Sequence, residues 1–125
     1  MKYLVDSNLL SEPTKLAPIP TAVDWLAAHQ RELAVDPIIM GELRIGILSL
    51  QPGRKRARLN LWFDELARTL VCIPWDSAVG KRWASLVVDL RRKGQSMPLI
   101  DSMIAATALE HRLTIATRNT RDFGK

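Results

Sequence analysis

Four acidic residues stand at places where the sequence predicts the edges of strands or the inner faces of helices. They are Asp6, Glu42, Asp101 and Asp122. A cluster of carboxylates repels itself unless a cation neutralises it. Mg²⁺ is held by one or two carboxylates together with waters and substrate phosphates, and Mn²⁺ accepts the same oxygen ligands. If these acids meet in the fold, their chemistry points to a metal-assisted hydrolysis of phosphate esters.

Three of these acids also have a purely structural explanation. Asp6 can cap the short helix that is predicted to follow it. Asp101 lies in the first turn of a predicted helix, where a carboxylate interacts favourably with the helix dipole. Glu42 lies on or beside the apolar stripe of its helix, and it can form an ion pair with Arg44 or reach water. Both explanations stay open on the sequence pattern alone.

The elements that would position these acids alternate between strand and helix. Strands are predicted at residues 2–5, 32–36, 71–74 and 113–116. Helices are predicted at residues 7–12, 37–50, 54–70 and 99–112, with two more that start at Pro20 and after Asp76. This alternation predicts one α/β domain over residues 1–125, a three-layer α/β/α sandwich around a parallel sheet of about four strands. Ligands of such sheets bind beyond the carboxyl ends of the strands, so Asp6 and Asp122 would meet if the first and fourth strands are neighbours.

The net charge of +5 favours polyanionic partners. One basic cluster opens a predicted helix and either faces solvent or contacts nucleic acid; it consists of Arg54, Lys55, Arg56 and Arg58. A second cluster, Arg91-Arg92-Lys93, precedes Gly94 at a predicted helix end, where cations stabilise the helix. We therefore take only the first cluster as a candidate for contact with nucleic acid.

Several other classes of protein are disfavoured by composition. The single cysteine, Cys72, allows no disulfide within the chain and is predicted to be a packed strand residue, which fits a reducing compartment. The two histidines, His29 and His111, lie on predicted amphipathic helices, so neither a zinc site nor a Cys–His or Ser–His nucleophile is indicated. No apolar run approaches the ~20 residues of a membrane span, so we expect a cytoplasmic protein.

Four motifs in order along the chain resemble those of the PIN-domain endoribonucleases, and specifically the VapC-type toxins of bacterial toxin–antitoxin pairs. The motifs are Leu4–Asn8, Gly41–Ile47, Asp101–Ala108 and Thr117–Phe123. The resemblance covers essentially residues 1–125. It implies a Mg²⁺- or Mn²⁺-dependent ribonuclease that cuts RNA phosphodiester bonds. It also implies a homodimer that is neutralised by an antitoxin peptide lying across the acidic groove.

The resemblance also implies a role for individual residues. Asp6, Glu42 and Asp101 match the metal-binding acids of the family, and Asp122 matches its less constant fourth acid. Polar positions that orient these acids are matched by Ser7, Asn8, Thr117 and Asn119. Ser7 stands where threonine is commoner, a change that keeps the hydroxyl. The basic cluster Arg54, Lys55, Arg56 and Arg58 would contact RNA phosphates.

The sequence departs from the family pattern at its end. It stops two residues after Phe123, where family members usually continue into a fifth, edge strand. We therefore expect a sheet whose final edge strand is missing, which exposes the edge of the fourth strand.

Two other functions are compatible with the acidic pattern. The first is a catalytically impaired PIN scaffold that only binds an antitoxin or RNA. The second is a phosphotransfer domain, since receivers and haloacid-dehalogenase-like phosphatases also place an aspartate after the first strand. Such a phosphatase needs a second aspartate where Asn8 stands, and a receiver needs paired early acids and a late lysine that are absent here.

Overall fold

The computed structural model describes residues 1–118 of the chain. In this part, four parallel strands form one sheet in the order β3-β2-β1-β4. The strands are β1 Tyr3–Val5, β2 Leu33–Val35, β3 Val71–Cys72 and β4 Thr114–Ala116. The predicted α/β fold with a parallel sheet of about four strands is confirmed.

Six α-helices connect these strands within residues 1–118. They are α1 Ser7–Leu10, α2 Pro20–Ala28, α3 Pro37–Leu48, α4 Arg54–Thr69, α5 Ser77–Arg92 and α6 Leu99–His111. Crossovers between parallel strands are right-handed, and the chain reverses its direction across the sheet after β3. The helices before β3 and those after it therefore cover opposite faces, with α3 packed on α4 and α5 packed on α6. No helix in the described part is long and apolar enough to cross a membrane.

Three helices begin in the same way, at an aspartate that ends the preceding extended segment. The side chains of Asp6, Asp36 and Asp76 each accept a hydrogen bond from the backbone N–H three residues later, at 2.8, 2.9 and 3.1 Å respectively. Such a cap satisfies one of the N–H groups that the first turn of a helix leaves unpaired. The capping explanation of Asp6 is therefore correct, and it leaves open a second role for the same carboxylate.

Two local predictions were wrong. We expected Pro13 to stop a helix over residues 7–12, but α1 ends at Leu10 and Pro13 lies inside a 3₁₀ turn, Glu12–Thr14. Proline is tolerated there because the first residues of a helical turn need no N–H donor. We also expected Cys72 to be packed, but it is exposed, since β3 lies at one edge of the sheet that residues 1–118 form.

The register of β1 against β4 sets the position of the residues that follow both strands. Val5 lies opposite Ala116, and the backbone N–H of Asp6 donates to the carbonyl oxygen of Ala116 at 3.0 Å. Asp6 and Thr117 therefore leave neighbouring strands at the same edge of the sheet. Leu4 and Val5 of β1 are fully buried, so the core anchors this edge.

A buried hydrogen bond joins α6 to the start of α3. Thr107 donates its hydroxyl to Oδ2 of Asp36 at 2.7 Å, and both residues are completely buried. Burial raises the pKa of Asp36, while the hydrogen bonds from Thr107 and from the backbone of Ile38 and Ile39 act in the opposite direction. Because α3 carries Glu42 and α6 carries Asp101, this bond fixes the relative position of two helices that bear candidate acids.

Substitution of Thr107 by valine removes this hydroxyl while keeping the shape of the side chain. The variant leaves a buried carboxyl oxygen without its donor, so we expect the free energy of unfolding to fall by about 1–3 kcal/mol. Urea denaturation measures the change. The matched control is Thr107→Ser, which keeps the donor and should lose less stability than the valine variant. Equal stability of the valine variant and the wild type would contradict this role of the hydrogen bond.

Candidate active site

Glu42 lies in the middle of α3, half-buried, and faces the start of α1. Oγ of Ser7 donates to Oε1 of Glu42 at 3.4 Å, so the residue after Asp6 contacts the second candidate acid directly. The ion pair with Arg44 that we had considered does not form. Instead, the Arg44 guanidinium donates to Oδ1 of Asn60 at 2.6 Å and lies over the ring of Phe63. Within residues 1–118 no salt bridge neutralises Glu42.

The electrostatic surroundings of Glu42 bring three of the four predicted acids together. Burial raises the pKa of Glu42, and the negative charges of Asp101, Asp6 and Asp36 raise it further, while the hydrogen bond from Ser7 lowers it. Mutual repulsion of this kind requires the carboxylates to lie near one another. The carboxyl edge of the sheet therefore carries a concentration of acidic side chains.

Asp101 lies in the first turn of α6 with its side chain exposed, so the prediction that it points inward is wrong. The alternative prediction, that it points toward the edge of the sheet, agrees with the effect of its charge on Glu42. The buried side of α6 is formed by the residues from Ser102 onward, among them Ile104 and Ala108. Asp101 lies outside that surface, yet close enough to raise the pKa of Glu42. Its carboxylate thus stays accessible to a ligand from solvent.

The remaining predicted site residues fall into two groups. Asn8 is exposed in α1, and Thr117 is half-buried directly after β4, beside the start of α1. Asp122 and Asn119 lie outside the described residues, so their predicted roles stay predictions.

The donor set at this edge suits a hard divalent cation. Carboxylate and hydroxyl oxygens are the ligands that Mg²⁺ and Mn²⁺ prefer. Of the histidines, His29 is stacked on the ring of Trp25 with its Nδ1 2.8 Å from the Trp25 carbonyl oxygen, outside this group. In the described range, no three acidic, histidine or cysteine side chains form a compact ligand group. Mg²⁺ does not need one, since it usually keeps several waters and binds one or two carboxylates.

Two connected depressions lie between α1, α3 and α4. The first, of about 190 Å³, is lined by residues that include Ser7, Glu42 and Trp62. The second, of about 460 Å³, is lined by three basic residues, Lys15, Lys55 and Arg58, among others. Thr14, Gly46 and Leu59 line both. We call the two depressions together the α3–α4 groove.

The groove divides the predicted basic cluster. Lys55 and Arg58 line it, whereas Arg54 is exposed elsewhere on α4 and Arg56 is half-buried.

The groove also changes the interpretation of Trp62. Its spacing of three and four residues from Leu59 and Leu66 is typical of a core residue, and Trp62 does pack partly against the core, but it also forms part of the wall beside Glu42. Core residues and groove-lining residues of a helix show the same spacing, so the sequence could not distinguish the two positions.

The structure contains a buried acid, Glu12, that the sequence patterns did not indicate. Glu12 is 1% exposed and forms ion pairs with Lys15 at 3.3 Å and with Arg118 at 3.9 Å. Its Oε1 has no hydrogen-bond donor within residues 1–118. The pair with Arg118 connects the segment after α1 to the end of β4. Glu12 stands between Ser11 and Pro13 in a polar stretch, where nothing local distinguishes a buried acid from an exposed one.

Comparison with known proteins gives the family. The PIN domain model matches residues 3–125, and the chain therefore belongs to the PIN-domain family. Toxin FitB of Neisseria gonorrhoeae is 31% identical over 127 residues, which cover 96% of this chain and 89% of the relative. The VapC ribonuclease Y4jK of Sinorhizobium fredii is 30% identical over 124 residues, with the same coverage. The resemblance that we drew from four motifs, to PIN domains and VapC-type toxins, is confirmed.

Solved structures agree with this assignment. The crystal structure of FitAcB from Neisseria gonorrhoeae superposes with a TM-score of 0.83 at 31% identity, and covers 98% of this chain and 91% of that one. A member of the VapBC family of toxin–antitoxin systems from Mycobacterium tuberculosis superposes with a TM-score of 0.60 at 26% identity, over 70% and 68% of the two chains.

Glu42→Gln tests the electrostatic description of the site. A carboxyl group whose folded-state pKa is raised binds its proton more tightly in the folded state, so its ionisation destabilises the fold. This destabilisation is absent below the pKa of the unfolded chain, near the ordinary glutamate value of 4.5, and complete above the raised pKa of the folded protein. We therefore expect Glu42→Gln to have a higher Tm than the wild type at pH 7, and this difference to disappear as the pH falls below about 4.5.

Thermal unfolding over a pH series, without added metal, measures this difference. Glu65→Gln is the control, because Glu65 is exposed on α4 and paired with Arg68. A Glu42→Gln variant that is less stable than the wild type at pH 7 would contradict the account.

Proposed function

We propose that the chain is a metal-dependent endoribonuclease that acts as the toxin of a toxin–antitoxin pair. The observation that carries the proposal is the meeting of Glu42, Asp101 and Asp6 at the carboxyl edge of the sheet, where their charges raise the pKa of Glu42. Ligands of open α/β sheets bind at this edge. Relatives that are named as a toxin and as a ribonuclease match nearly the whole chain and support the same activity.

We propose Mg²⁺ or Mn²⁺ as the cofactor, held by Asp6, Glu42 and Asp101 together with Asp122. Such an ion, when bound, supplies positive charge to the phosphate that is attacked and promotes ionisation of the attacking water. The proposal is supported by the oxygen-only donor set and by the proximity of the acidic side chains whose charges, after burial, raise the pKa of Glu42. A divalent cation would relieve the repulsion that these carboxylates exert on one another.

The chain's own residues then divide the remaining work. Ser7 holds Oε1 of Glu42 through its hydroxyl and so fixes the orientation of this carboxylate. We assign to Asn8, Thr117 and Asn119 the role that the family resemblance implies, which is to orient the acids.

The basic residues of the groove supply affinity for the RNA backbone. Lys55 and Arg58 line the groove that starts at Glu42, and Arg54 and Arg56 add positive charge to the same end of α4. Phosphate contacts of this kind position a strand without selecting its sequence.

We further propose that an antitoxin protein neutralises the enzyme, that the toxin is a homodimer and that it works in the cytoplasm. The support for a partner is that similar solved structures include a member of a toxin–antitoxin family. The support for the compartment is the single cysteine, which permits no disulfide within the chain.

A second candidate function is a PIN scaffold that binds an antitoxin or RNA without cutting. Titration with Mn²⁺ separates the two, because a binding-only scaffold would show no turnover of RNA at saturating metal.

Asp6→Asn and Asp101→Asn test the catalytic assignment. Asparagine caps a helix as well as aspartate does, so Asp6→Asn keeps α1 while it removes the charge. We expect each variant to cleave single-stranded RNA at least about 100-fold more slowly, because loss of even an outer-shell partner of a metal costs about 10–100-fold and these residues are proposed to hold the metal directly. Gel-based cleavage with Mg²⁺, with Mn²⁺ and with a chelator measures the effect.

The control for these variants is Asp76→Asn, which changes a helix cap at the start of α5 without touching the acidic edge. It should keep the wild-type rate. Full activity in both site variants, or cleavage that is indifferent to the chelator, would refute the proposed function.

Lys55→Gln combined with Arg58→Gln tests the RNA-binding surface. Each lost phosphate contact should lower the slope of log Kd against log salt by ~0.7 for a single strand, so the double variant should lose about 1.4. Fluorescence anisotropy with a labelled RNA oligonucleotide, in an Asp101→Asn background, gives the slopes. Arg91→Gln with Arg92→Gln is the charge-matched control at the end of α5, and its slope should equal that of the wild type.

A further inference from the structure

One face of α4 carries the side chains that line the α3–α4 groove. Lys55, Arg58, Leu59 and Trp62 follow one another at spacings of three, one and three residues, which places them on the same side of a helix. The two cations come first, and the apolar pair lies nearer to Glu42. The groove therefore changes along its length from a cationic end to an end with an aromatic wall.

Polar groups line the wall of this depression that lies opposite Trp62. Ser11, Thr14 and the exposed Asn8 line it. The hydroxyls of Ser11 and Thr14 donate to the backbone carbonyls three residues before them, at 3.2 and 2.6 Å, so their oxygens can still accept hydrogen bonds from a ligand. The indole N–H of Trp62 makes no hydrogen bond to any residue within 1–118. The depression thus offers an apolar wall and several hydrogen-bonding groups.

The distance between the two ends fits a few nucleotides of a single strand. Lys55 and Trp62 are seven residues apart, which is about 10 Å along a helix at ~1.5 Å per residue. Nucleotides of a stacked strand are about 3.4 Å apart. A strand whose phosphates contact Lys55 and Arg58 would therefore bring a base about three nucleotides away to Trp62, next to Glu42.

Gly46 of α3 keeps the groove open. It lines both depressions, and a Cβ atom placed on it would meet no heavy atom within 4 Å. A side chain at this position would project into free space that a ligand could otherwise fill.

We propose that the depression beside Glu42 holds one unstacked base of a single-stranded RNA, against Trp62 and Leu59, and that Asn8, Ser11 and Thr14 contact its edge. Single-stranded RNA is recognised in this way, by stacking of bases on aromatic side chains and by hydrogen bonds to the base edges. This inference rests on the proposed ribonuclease function and adds to it a determinant of base preference near the cut. The cationic far end of the groove is the reason for choosing RNA over a peptide side chain as the occupant.

Gly46→Met blocks the depression and is compared with Gly41→Met. Both glycines lie in α3, both have open space around the added Cβ, and Gly41 lines neither depression. Each substitution replaces a helix glycine by a better helix former, so both variants should be at least as stable as the wild type. We expect Gly46→Met to raise KM for single-stranded RNA about tenfold, the scale of one lost base–aromatic contact, with kcat within about twofold. Gly41→Met should match the wild type.

Abasic substitution locates the base. The cut site of the wild type on a defined oligonucleotide is mapped first, and each nucleotide within four positions of it is then replaced by an abasic residue. We expect one position at which the loss raises the wild-type KM about tenfold but has no effect on Gly46→Met, because the two changes remove the same contact.

The outcomes distinguish a failure of the proposed ribonuclease function from a failure of the proposed base pocket. An RNA that the wild type does not cut with Mg²⁺ or Mn²⁺ refutes the proposed function itself. Normal cleavage with equal KM for Gly46→Met and Gly41→Met overturns the base pocket alone, and leaves the depression to a peptide side chain. A rise in KM that does not depend on any single base also overturns it, because the methionine would then obstruct the backbone.

Discussion

Repulsion among carboxylates at one edge of the sheet is the constraint around which this molecule is arranged. Burial raises the pKa of Glu42, and the negative charges of Asp101 and Asp6 raise it further. The fold holds them there through interactions that do not belong to the site. The strand pair β1–β4 fixes the start of α1, and the buried bond between Thr107 and Asp36 fixes α3 against α6. Stability is thus sacrificed locally and restored by the surrounding structure, as is common at functional sites.

Two other buried or half-buried groups extend this supporting layer. Ser7 contacts Glu42 directly, and Glu12 ties the chain after α1 to Arg118 at the end of β4. Both lie on the short stretch that follows β1, so the first dozen residues contain a candidate acid, its orienting hydroxyl and a buried anchor. The α3–α4 groove starts from the same stretch. Negative charge at the edge of the sheet and positive charge along α4 therefore lie at opposite ends of one continuous surface.

Local patterns predicted the elements well, because helix caps and apolar periodicity depend on neighbours in sequence. Asp36 followed by Pro37 marked the start of α3 within one residue, and the parallel sheet followed from the alternation of elements. Properties that depend on strand order or helix rotation could not be obtained this way. Cys72 is exposed because β3 is an edge strand, and Asp101 is exposed because α6 turns its other side to the core.

Partners distant in sequence were also beyond local prediction. Asp36 and Thr107 are 71 residues apart, and neither position alone indicates a buried hydrogen bond. The burial of Glu12 depends in the same way on where β4 ends. Arg44 forms a hydrogen bond with Asn60 and no ion pair with Glu42, and this too depends on how α3 and α4 pack against each other. The candidate acids were identified from the sequence by their order along the chain, while their electrostatic coupling required the fold.

Asp6 combines the capping of α1 with the metal binding that we propose, on one carboxylate. Its Oδ1 accepts the hydrogen bond from the backbone N–H of Leu9 that begins α1, a helix of only four residues. A metal ion at the proposed site would draw electron density from this carboxylate and weaken that bond. The exchange rate of a single amide proton, at Leu9, would then depend on the occupancy of the acidic edge. The helix is too short to be stable by itself, which makes this amide a sensitive spectroscopic probe of the site in the intact protein.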